Sequence, residues 1–249
     1  MPLVKSHRID FDLVELSNIK ENGNGGKTVY VNYNSGMFKM QTPTLTMPYN
    51  MNVYDKGEYP KYSIDIAFRD LEENHKVLRF YENMQALDEL IFEAGFKNSL
   101  KWLGKQHKSK DAAEAMFYPN IKKYTDKETG EANGKYPDTM KLKLPVRDGK
   151  ANFTITDFED NVIENPDLAT ILTKESKVQA ILRCGGVWLV AGKFGCTWTV
   201  EKLRVESASS VEGGAGGMNF IDDDDDSQNE DDDSDDDSDD ESDDDSDDE

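Results

Sequence analysis

Cysteine and histidine are scarce in this chain of 249 residues. It has two cysteines, Cys184 and Cys196, and three widely separated histidines, His7, His75 and His107. Two cysteines do not make a disulfide framework in a chain of this length, so we expect reduced, packed thiols. The Cys and His spacings that hold zinc are missing, so we expect no metal site.

The sequence also lacks the short motifs that most often mark catalysis. It has no phosphate-binding GxxxxGKS/T loop, no GxSxG elbow and no glycine-rich dinucleotide loop after a strand. Asp65 and Asp70 are candidates for a metal-dependent nuclease pair. Asp65, however, falls on the polar face of an alternating strand, where a solvated carboxylate is far commoner. We therefore expect a protein that is not an enzyme and that needs no cofactor.

Long apolar runs are absent as well. The longest are far too short to cross a bilayer, and the first residues lack the apolar stretch of a secretory signal. From these two absences we expect a soluble, intracellular protein that has no membrane partner.

Acidic residues, in contrast, are abundant and unevenly placed. The chain carries 51 acidic and 29 basic residues, and 21 of the acids lie in residues 222–249, which contain no base. Residues 1–221 therefore hold 30 acids against 29 bases, a net charge of −1. A near-neutral body tethered to a polyanion predicts that the tail competes with an anion for a basic face, or that it recruits a basic partner.

Residues 222–249 have no apolar side chain, so we expect a disordered tail. Residues 207–221 are rich in Ser, Gly and Ala, and we expect a flexible linker there. Four tail serines, each followed by acids, suit an acid-directed kinase, and their phosphorylation stays open: Ser234, Ser238, Ser242 and Ser246. The residues expected to carry the regulatory and partner-binding role are Phe220, Asp222, Asp226, Asp233, Asp248 and Glu249.

Residues 1–206 show mostly strand patterns, with one helical block. Residues 61–68 alternate apolar and polar side chains, which is typical of a half-buried strand. From Asn74 the apolar spacing becomes helical up to Gly95, and we place a helical insertion at about residues 74–117. The pattern predicts a mainly β domain, a five-stranded barrel of the oligonucleotide-binding (OB) type with extra strands. A β-sandwich is the competing fold.

Two strands near the end of this domain flank a Gly192-Lys193 pair, which suits a type II′ turn. That turn would pair Trp188 with Thr197 across the hairpin. It would place Trp198 in the core and Trp188 on the outer face, where its ring is open to a flat partner.

Basic residues are concentrated in residues 97–150, which hold 13 bases and seven acids. Lysines beside aromatic rings are what single-stranded nucleic acid requires, because lysines contact phosphates while rings stack on bases. A solvated lysine face is the alternative, and for Trp102 helix packing is the alternative to base stacking. The candidate nucleic-acid-binding residues are Lys101, Trp102, Lys105, Lys122, Tyr124, Lys141, Lys143, Arg183, Trp188 and Lys193.

Residues 177–205, KVQAILRCGGVWLVAGKFGCTWTVEKLRV, resemble the last strands of the single-stranded DNA-binding proteins of nucleo-cytoplasmic large DNA viruses. In those proteins an apolar strand, a Trp-bearing hairpin and a Gly-Lys-Phe-Gly type turn precede an acidic C-terminus. That family resembles the phage replication proteins built on an OB barrel with an acidic tail. One departure is the terminus, because the phage and bacterial relatives usually end in an aromatic residue that docks on partners, whereas this chain ends Asp247-Asp248-Glu249.

The residues and the resemblance together imply a sequence-independent single-stranded DNA-binding protein for viral DNA replication, recombination and repair. The tail would occupy the DNA site in the absence of DNA and would otherwise recruit replication proteins such as polymerase or helicase. The protein would work in the host nucleus or in a cytoplasmic viral factory, and assembly into a homo-oligomer stays open. The alternative function is an acidic-tailed chaperone or adaptor for basic proteins such as histones, whose body has no need of lysines beside exposed rings.

Overall fold

Alternating apolar and polar residues make β-strands the commonest regular structure in the described chain. The computed structural model describes residues 3–23, 25–125, 129 and 135–206. The strands are β1 Val4–Lys5, β2 Val14–Glu21, β3 Lys27–Tyr33, β4 Gly36–Met37, β5 Lys39–Gln41, β6 Leu45–Thr46, β7 Asn52–Tyr54, β8 Lys61–Ala67, β9 Phe117–Tyr118, β10 Ile121–Lys122, β11 Thr139–Leu144, β12 Val146–Arg147, β13 Lys150–Ala151, β14 Thr154–Thr156, β15 Lys177–Val190 and β16 Lys193–Val205. The predicted linker and tail, with Phe220 and the four tail serines, lie outside the described residues.

Four α-helices accompany these strands: α1 His75–Lys97, α2 Ser99–Leu103, α3 Lys110–Glu114 and α4 Leu168–Ile171. Three of them lie between β8 and β9, where the sequence predicts a helical insertion. The mainly β fold with a helical insertion is confirmed. None of the helices in the described part of the chain combines the length and the apolar character that a bilayer crossing requires.

Five strand segments pair in a closed ring, which makes the core of the fold a barrel. Around the ring, β6 pairs with β8, β8 with β11, β11 with β16, β16 with β15, and β15 with β6. Only the β11–β16 pair is parallel, and the other four are antiparallel. A closed five-stranded ring with this connectivity is the OB-type barrel that the strand pattern predicts, rather than a sandwich of two sheets.

The barrel interior is filled by the inward side chains of these strands. Ile64 of β8, Leu142 of β11 and Trp198 of β16 are all buried. The Trp198 ring packs edge-on against Phe38, with 5.3 Å between ring centroids. Each large apolar side chain that is fully buried in this way contributes about 1.5–3 kcal/mol to folding. The outward side chains of the same strands are consequently left to form a polar surface.

The long hairpin of β15 and β16 turns at a different pair of residues from the predicted one. Ala191 and Gly192 have φ angles of 49° and 75°, which makes a type I′ turn rather than type II′. Trp188 therefore pairs with Gly195 and not with the residue two positions further on. Because the register differs by two residues, every side chain keeps its predicted face. Trp198 is buried in the core, and Trp188 lies on the outer face.

Strand β15 bends where a bulge interrupts the hairpin register between Cys184 and Val187. Gly186 in this bulge has a φ of 84°, and a Cβ there would lie 2.7 Å from the carbonyl oxygen of Val29. Only glycine tolerates both this positive φ and the close approach of the Val29 carbonyl oxygen. The bulge divides the hairpin into two halves. One half pairs with β5 and β6 in the barrel, and the other extends past the barrel to pair with β3.

Helix α1 packs against the segment that follows β8 and against the start of β16. Phe80 on its buried side contacts Phe68 just after β8, with 5.3 Å between ring centroids. Gly95 faces the ring of Phe194 at the start of β16 with no room for a Cβ, so the helix approaches the strand closely there. The sequence places the helix end at Gly95, whereas the helix continues to Lys97, and Gly95 instead leaves room for the Phe194 ring.

Candidate nucleic-acid interface

A row of outward side chains crosses the barrel at one level. Strand register places Ser63 of β8 opposite Lys143 of β11, Lys143 beside Thr199 of β16, and Thr199 opposite Arg183 of β15. Arg183 in turn lies opposite Lys39 of β5. Register partners share a face, so these side chains all project outward with three cations among them. We call this surface, together with Lys141, the sheet face.

Most cations of the sheet face have a carboxylate partner within the face. Glu201 accepts ion pairs from both Arg183, at 3.0 Å, and Lys39, at 2.7 Å. Lys141 lies 3.5 Å from the carboxylate of Asp65, its register partner on β8. Such pairs use part of the positive charge that a phosphate would otherwise meet.

Lys143 differs from these three cations, because no carboxylate of the described residues pairs with it. Lys122 of β10 lies opposite Thr139 of β11, which places it on the same outward side as Lys143. Tyr124, two residues further on, packs edge-on against Tyr136 with 4.6 Å between ring centroids. Lys122 thus extends the sheet face, whereas one edge of Tyr124 is engaged by a neighbouring ring.

The outer half of the hairpin carries a different arrangement. The Trp188 ring covers Gly195, where a Cβ would lie 2.9 Å from Cζ2 of Trp188. Tyr118 of β9 lies on the other side of Gly195, and its ring centroid is 5.5 Å from that of Trp188. Lys193 donates a hydrogen bond of 3.0 Å to the Tyr118 hydroxyl, with its ammonium 5.4 Å from the ring centroid. Glycine at 195 is therefore what allows the two rings to lie side by side.

A buried polar network holds the Tyr118 segment against the barrel. One oxygen of Asp88, on α1, accepts hydrogen bonds from the backbone N–H and the side-chain amide of Asn120, at 2.8 and 2.7 Å. The other oxygen accepts from the Ile121 N–H at 3.1 Å, and the Asn120 Oδ1 accepts from Trp198 Nε1 at 3.0 Å. Burial raises the pKa of the Asp88 carboxyl to about 6, although these hydrogen bonds act in the opposite direction.

A segment rich in lysine lies next to the hairpin turn. Residues 97–108 join α1, α2 and the following loop, and they contain no acid. We call this segment the basic elbow. Its lysines are all exposed, and none pairs with a carboxylate within the described part of the chain: Lys97, Lys101, Lys105 and Lys108. Trp102 anchors the elbow by packing edge-on against Phe194, with 6.2 Å between ring centroids.

We call the surface formed by Tyr118, Trp188, Lys193 and the basic elbow the hairpin end. It contains five of the ten predicted residues: Lys101, Trp102, Lys105, Trp188 and Lys193. Among these, Trp102 packs against Phe194 and is not an exposed ring. The sheet face holds Lys122, Lys141, Lys143 and Arg183. Tyr124 belongs to neither cluster.

Sequence reasoning missed three residues that belong to these surfaces. Tyr118 lies in a two-residue strand whose parallel pairing with β16 has no local signal. Lys39 and Glu201 lie on strands far apart in the chain, and only the strand register brings them together. The described residues contain no group of three or more His, Cys, Asp or Glu side chains placed to hold a metal ion.

Comparisons with known proteins give structural likeness at low identity. No family model matches the chain, and no curated protein matches it. It is similar to gp2.5, a single-stranded DNA-binding protein encoded by bacteriophage T7, with 14% identity, a TM-score of 0.41, and coverage of 73% of this chain and 98% of that chain. It is also similar to the single-stranded DNA-binding protein from bacteriophage Enc34 in complex with single-stranded DNA, with 15% identity, a TM-score of 0.42, and coverage of 80% and 99%. A second structure of the single-stranded DNA-binding protein from bacteriophage Enc34 gives 17% identity, a TM-score of 0.40, and coverage of 82% and 96%.

Proposed function

We propose that this protein binds single-stranded DNA without sequence preference and serves viral DNA replication, recombination and repair. The observation that carries the proposal is the hairpin end, where two outward rings, Trp188 and Tyr118, lie beside lysines that lack carboxylate partners. Stacking of a base on an aromatic ring contributes about 1–3 kcal/mol, and it tolerates any base because every base has a π-face.

The proposed mechanism is binding without catalysis. Bases stack on Trp188 and Tyr118, and phosphates meet Lys193 and the lysines of the basic elbow. From there the strand continues over the sheet face, where Lys143 and Lys141 follow its backbone. Lysine contacts of this kind give affinity that falls with salt and that does not depend on sequence.

The acidic tail supplies the regulation in this proposal. Residues 222–249 compete with DNA for the hairpin end and the sheet face, and they bind replication proteins such as polymerase or helicase once DNA displaces them. Phosphorylation of the tail serines would add negative charge and strengthen the competition.

Fluorescence anisotropy of a labelled single-stranded oligonucleotide tests this proposal. The titrants are the full-length chain and residues 1–221, each at two salt concentrations, with a duplex of equal length as the control ligand. We expect residues 1–221 to bind more tightly than the full chain and to lose more affinity as salt rises.

Equal affinity of the two forms would overturn the competition by the tail. Binding by neither form would overturn DNA binding itself. Capture of histones by the full chain and not by residues 1–221 would then favour the chaperone function. Each outcome thus removes a separate part of the proposal.

A further inference from the structure

Strand β2 forms an open edge of the β-sheet. It pairs with β3 along one side, and no strand of the described residues pairs with its other side. It precedes the five strands that close the barrel, and β3 connects it to the outer half of β15. An open edge of eight residues offers its unpaired N–H and C=O groups to another strand, so a soluble protein has to cover or disrupt it.

The hydrogen bonds to β3 show which backbone groups of β2 point to the open side. The Asn34 N–H donates to the carbonyl of Leu13, just before β2, and the Asn22 N–H, just after it, donates to the carbonyl of Gly26. Hydrogen-bonded pairs alternate along an antiparallel ladder, and residues 17–18 form a bulge that counts as one position. The residues whose N–H and C=O groups point to the open side are therefore Val14, Leu16, Ile19 and Glu21.

The side chains of β2 divide between two faces. Leu16 and Ile19 lie opposite buried valines of β3 and are themselves only partly buried against the core. Both point inward because the bulge between them shifts the alternation by one residue. Glu15 and Lys20 lie on the outward face, where both are exposed and neither has an ion-pair partner within the described part of the chain.

Strand β2 is complementary to an antiparallel copy of itself. When two copies meet about a two-fold axis at the bulge, Leu16 lies opposite Ile19 of the second copy, and Glu15 lies opposite its Lys20. The backbone groups on the open sides then meet each other, the apolar side chains share the inner face, and unlike charges meet on the outer face. A shift by two residues in either direction would place the bulge opposite regular strand and separate the unlike charges.

We infer that this protein forms a two-fold dimer through antiparallel pairing of β2, so that the sheets of two copies become one. A bulge and a charged residue on an edge usually prevent pairing with other strands. On β2 both features fit a second copy of the same strand and not a regular strand, so they select the partner. The inference goes beyond the proposed function and does not depend on it, because no DNA contact enters the argument.

Pairing through β2 leaves the hairpin end uncovered. Trp188 lies opposite Thr28 of β3, and Thr28 lies opposite Lys20 of β2. The whole of β3 therefore separates the open edge from the rings and lysines of the hairpin end. The dimer carries two hairpin ends, each as accessible as in a single chain.

Sedimentation velocity of the full-length protein without DNA, over a range of protein concentrations, tests the dimer. Glu15→Lys and Lys20→Glu each bring like charges together at both ends of the two-fold interface. The variant with both substitutions restores unlike charges, and Glu164→Lys, at an exposed acid outside β2, is the matched control. We expect the unmodified protein to sediment with twice the mass of one chain, as should the double variant and the control.

Each single variant should raise the dissociation constant of the dimer about tenfold or more, because two charge pairs change in every dimer. An equimolar mixture of the two single variants should regain the dimer, since the charges of one variant complement those of the other. That recovery also shows that the single variants are folded.

A single-chain mass for the unmodified protein at every concentration would overturn the inference and leave the open edge to a different chain. Unchanged association of the single variants would overturn the pairing of Glu15 with Lys20. Failure of the mixture to regain the dimer would overturn it too, as would equal weakening by Glu164→Lys. None of these outcomes bears on the proposed function, which the anisotropy titration tests separately.

Discussion

The hairpin end and the sheet face carry similar numbers of cations but differ in what surrounds those cations. On the sheet face, Arg183 and Lys39 share Glu201, and Lys141 faces Asp65. At the hairpin end, the lysines of the basic elbow pair with no carboxylate of the described residues, and Lys193 contacts a tyrosine. A phosphate must displace a carboxylate at Arg183, Lys39 or Lys141, whereas it displaces only water at the lysines of the basic elbow.

If the proposed function holds, this difference predicts that the two regions contribute to DNA binding in different ways. The hairpin end presents rings and free charge, so it should account for most of the affinity. On the sheet face, three of the five cations are paired with carboxylates, so it should add less affinity and mainly guide the strand. The bulge at Gly186 separates the two regions and allows each to keep its own geometry.

The largest expected effect is on the stability of the fold beneath the hairpin end, where Asp88 is buried. The pKa of Asp88 is about 6 in the folded state against about 3.9 unfolded, so its contribution to stability is complete below about pH 4 and is lost as pH rises through 6. The shift of about two units corresponds to about 3 kcal/mol. Urea unfolding between pH 4 and 7.5 should show this loss in the unmodified protein and not in Asp88→Asn. Both proteins carry the same acidic tail, so titration of the tail contributes equally to the two stability profiles. Identical pH profiles of the two proteins would contradict the attribution of this loss of stability to Asp88.

The next effect is on affinity at the hairpin end. Trp188→Ala removes the ring that covers Gly195 and should weaken single-stranded DNA binding by about 1–3 kcal/mol, or roughly 5- to 150-fold. Anisotropy with an oligonucleotide measures the change. Phe158→Ala, at an exposed aromatic residue near the other end of β16, is the matched control. If both variants weaken binding equally, the hairpin end is no more important than any exposed ring.

The faces of the two interface strands could be predicted because strand alternation is a local rule. Alternation over residues 139–144 predicts Lys141 and Lys143 outside and Leu142 inside, and the structure places them so. Trp188 and Trp198 were also assigned to the correct faces, although the turn between their strands was wrong. Local preference favoured glycine as the first turn residue, whereas the structure uses Ala191 there with a positive φ. A register error of two residues leaves every side chain on its predicted face, so Trp188 and Trp198 are still assigned correctly.

The partners of these residues could not be predicted, because they depend on register between distant strands. Asp65 and Lys141 are 76 residues apart in sequence, and Glu201 is far from Lys39. Nothing near Tyr118 in the sequence indicates that β16 will lie beside it. The sequence therefore predicts which side chains face outward, and only the fold shows which of those charges are already compensated.

A smaller effect on DNA affinity is expected when the carboxylate that pairs with two cations of the sheet face is removed. Glu201→Gln leaves Lys39 and Arg183 without their shared carboxylate, so both become available to phosphates. Affinity for single-stranded DNA should rise a few-fold, and the salt slope should steepen by about 0.7 for each new phosphate contact. Glu175→Gln, which breaks an exposed pair with Arg69 outside both regions, is the control. A loss of affinity in Glu201→Gln would mean that the pairs position the cations rather than mask them.

The smallest effect is on the chemistry of the two thiols where the regions meet. Cys184 and Cys196 are free, and their sulfur atoms lie 3.3 Å apart beside the bulge. The hydrogen bond with the Cys184 thiol and burial raise the pKa of Cys196, so little thiolate forms at pH 8. Alkylation of Cys196 by iodoacetamide, followed by mass spectrometry, should be slower than that of an unstructured peptide cysteine. Cys184→Ala removes the hydrogen bond and should accelerate alkylation at Cys196. If the rate does not change, burial alone sets the reactivity of this thiol, and the contact between the two sulfur atoms has no part in it.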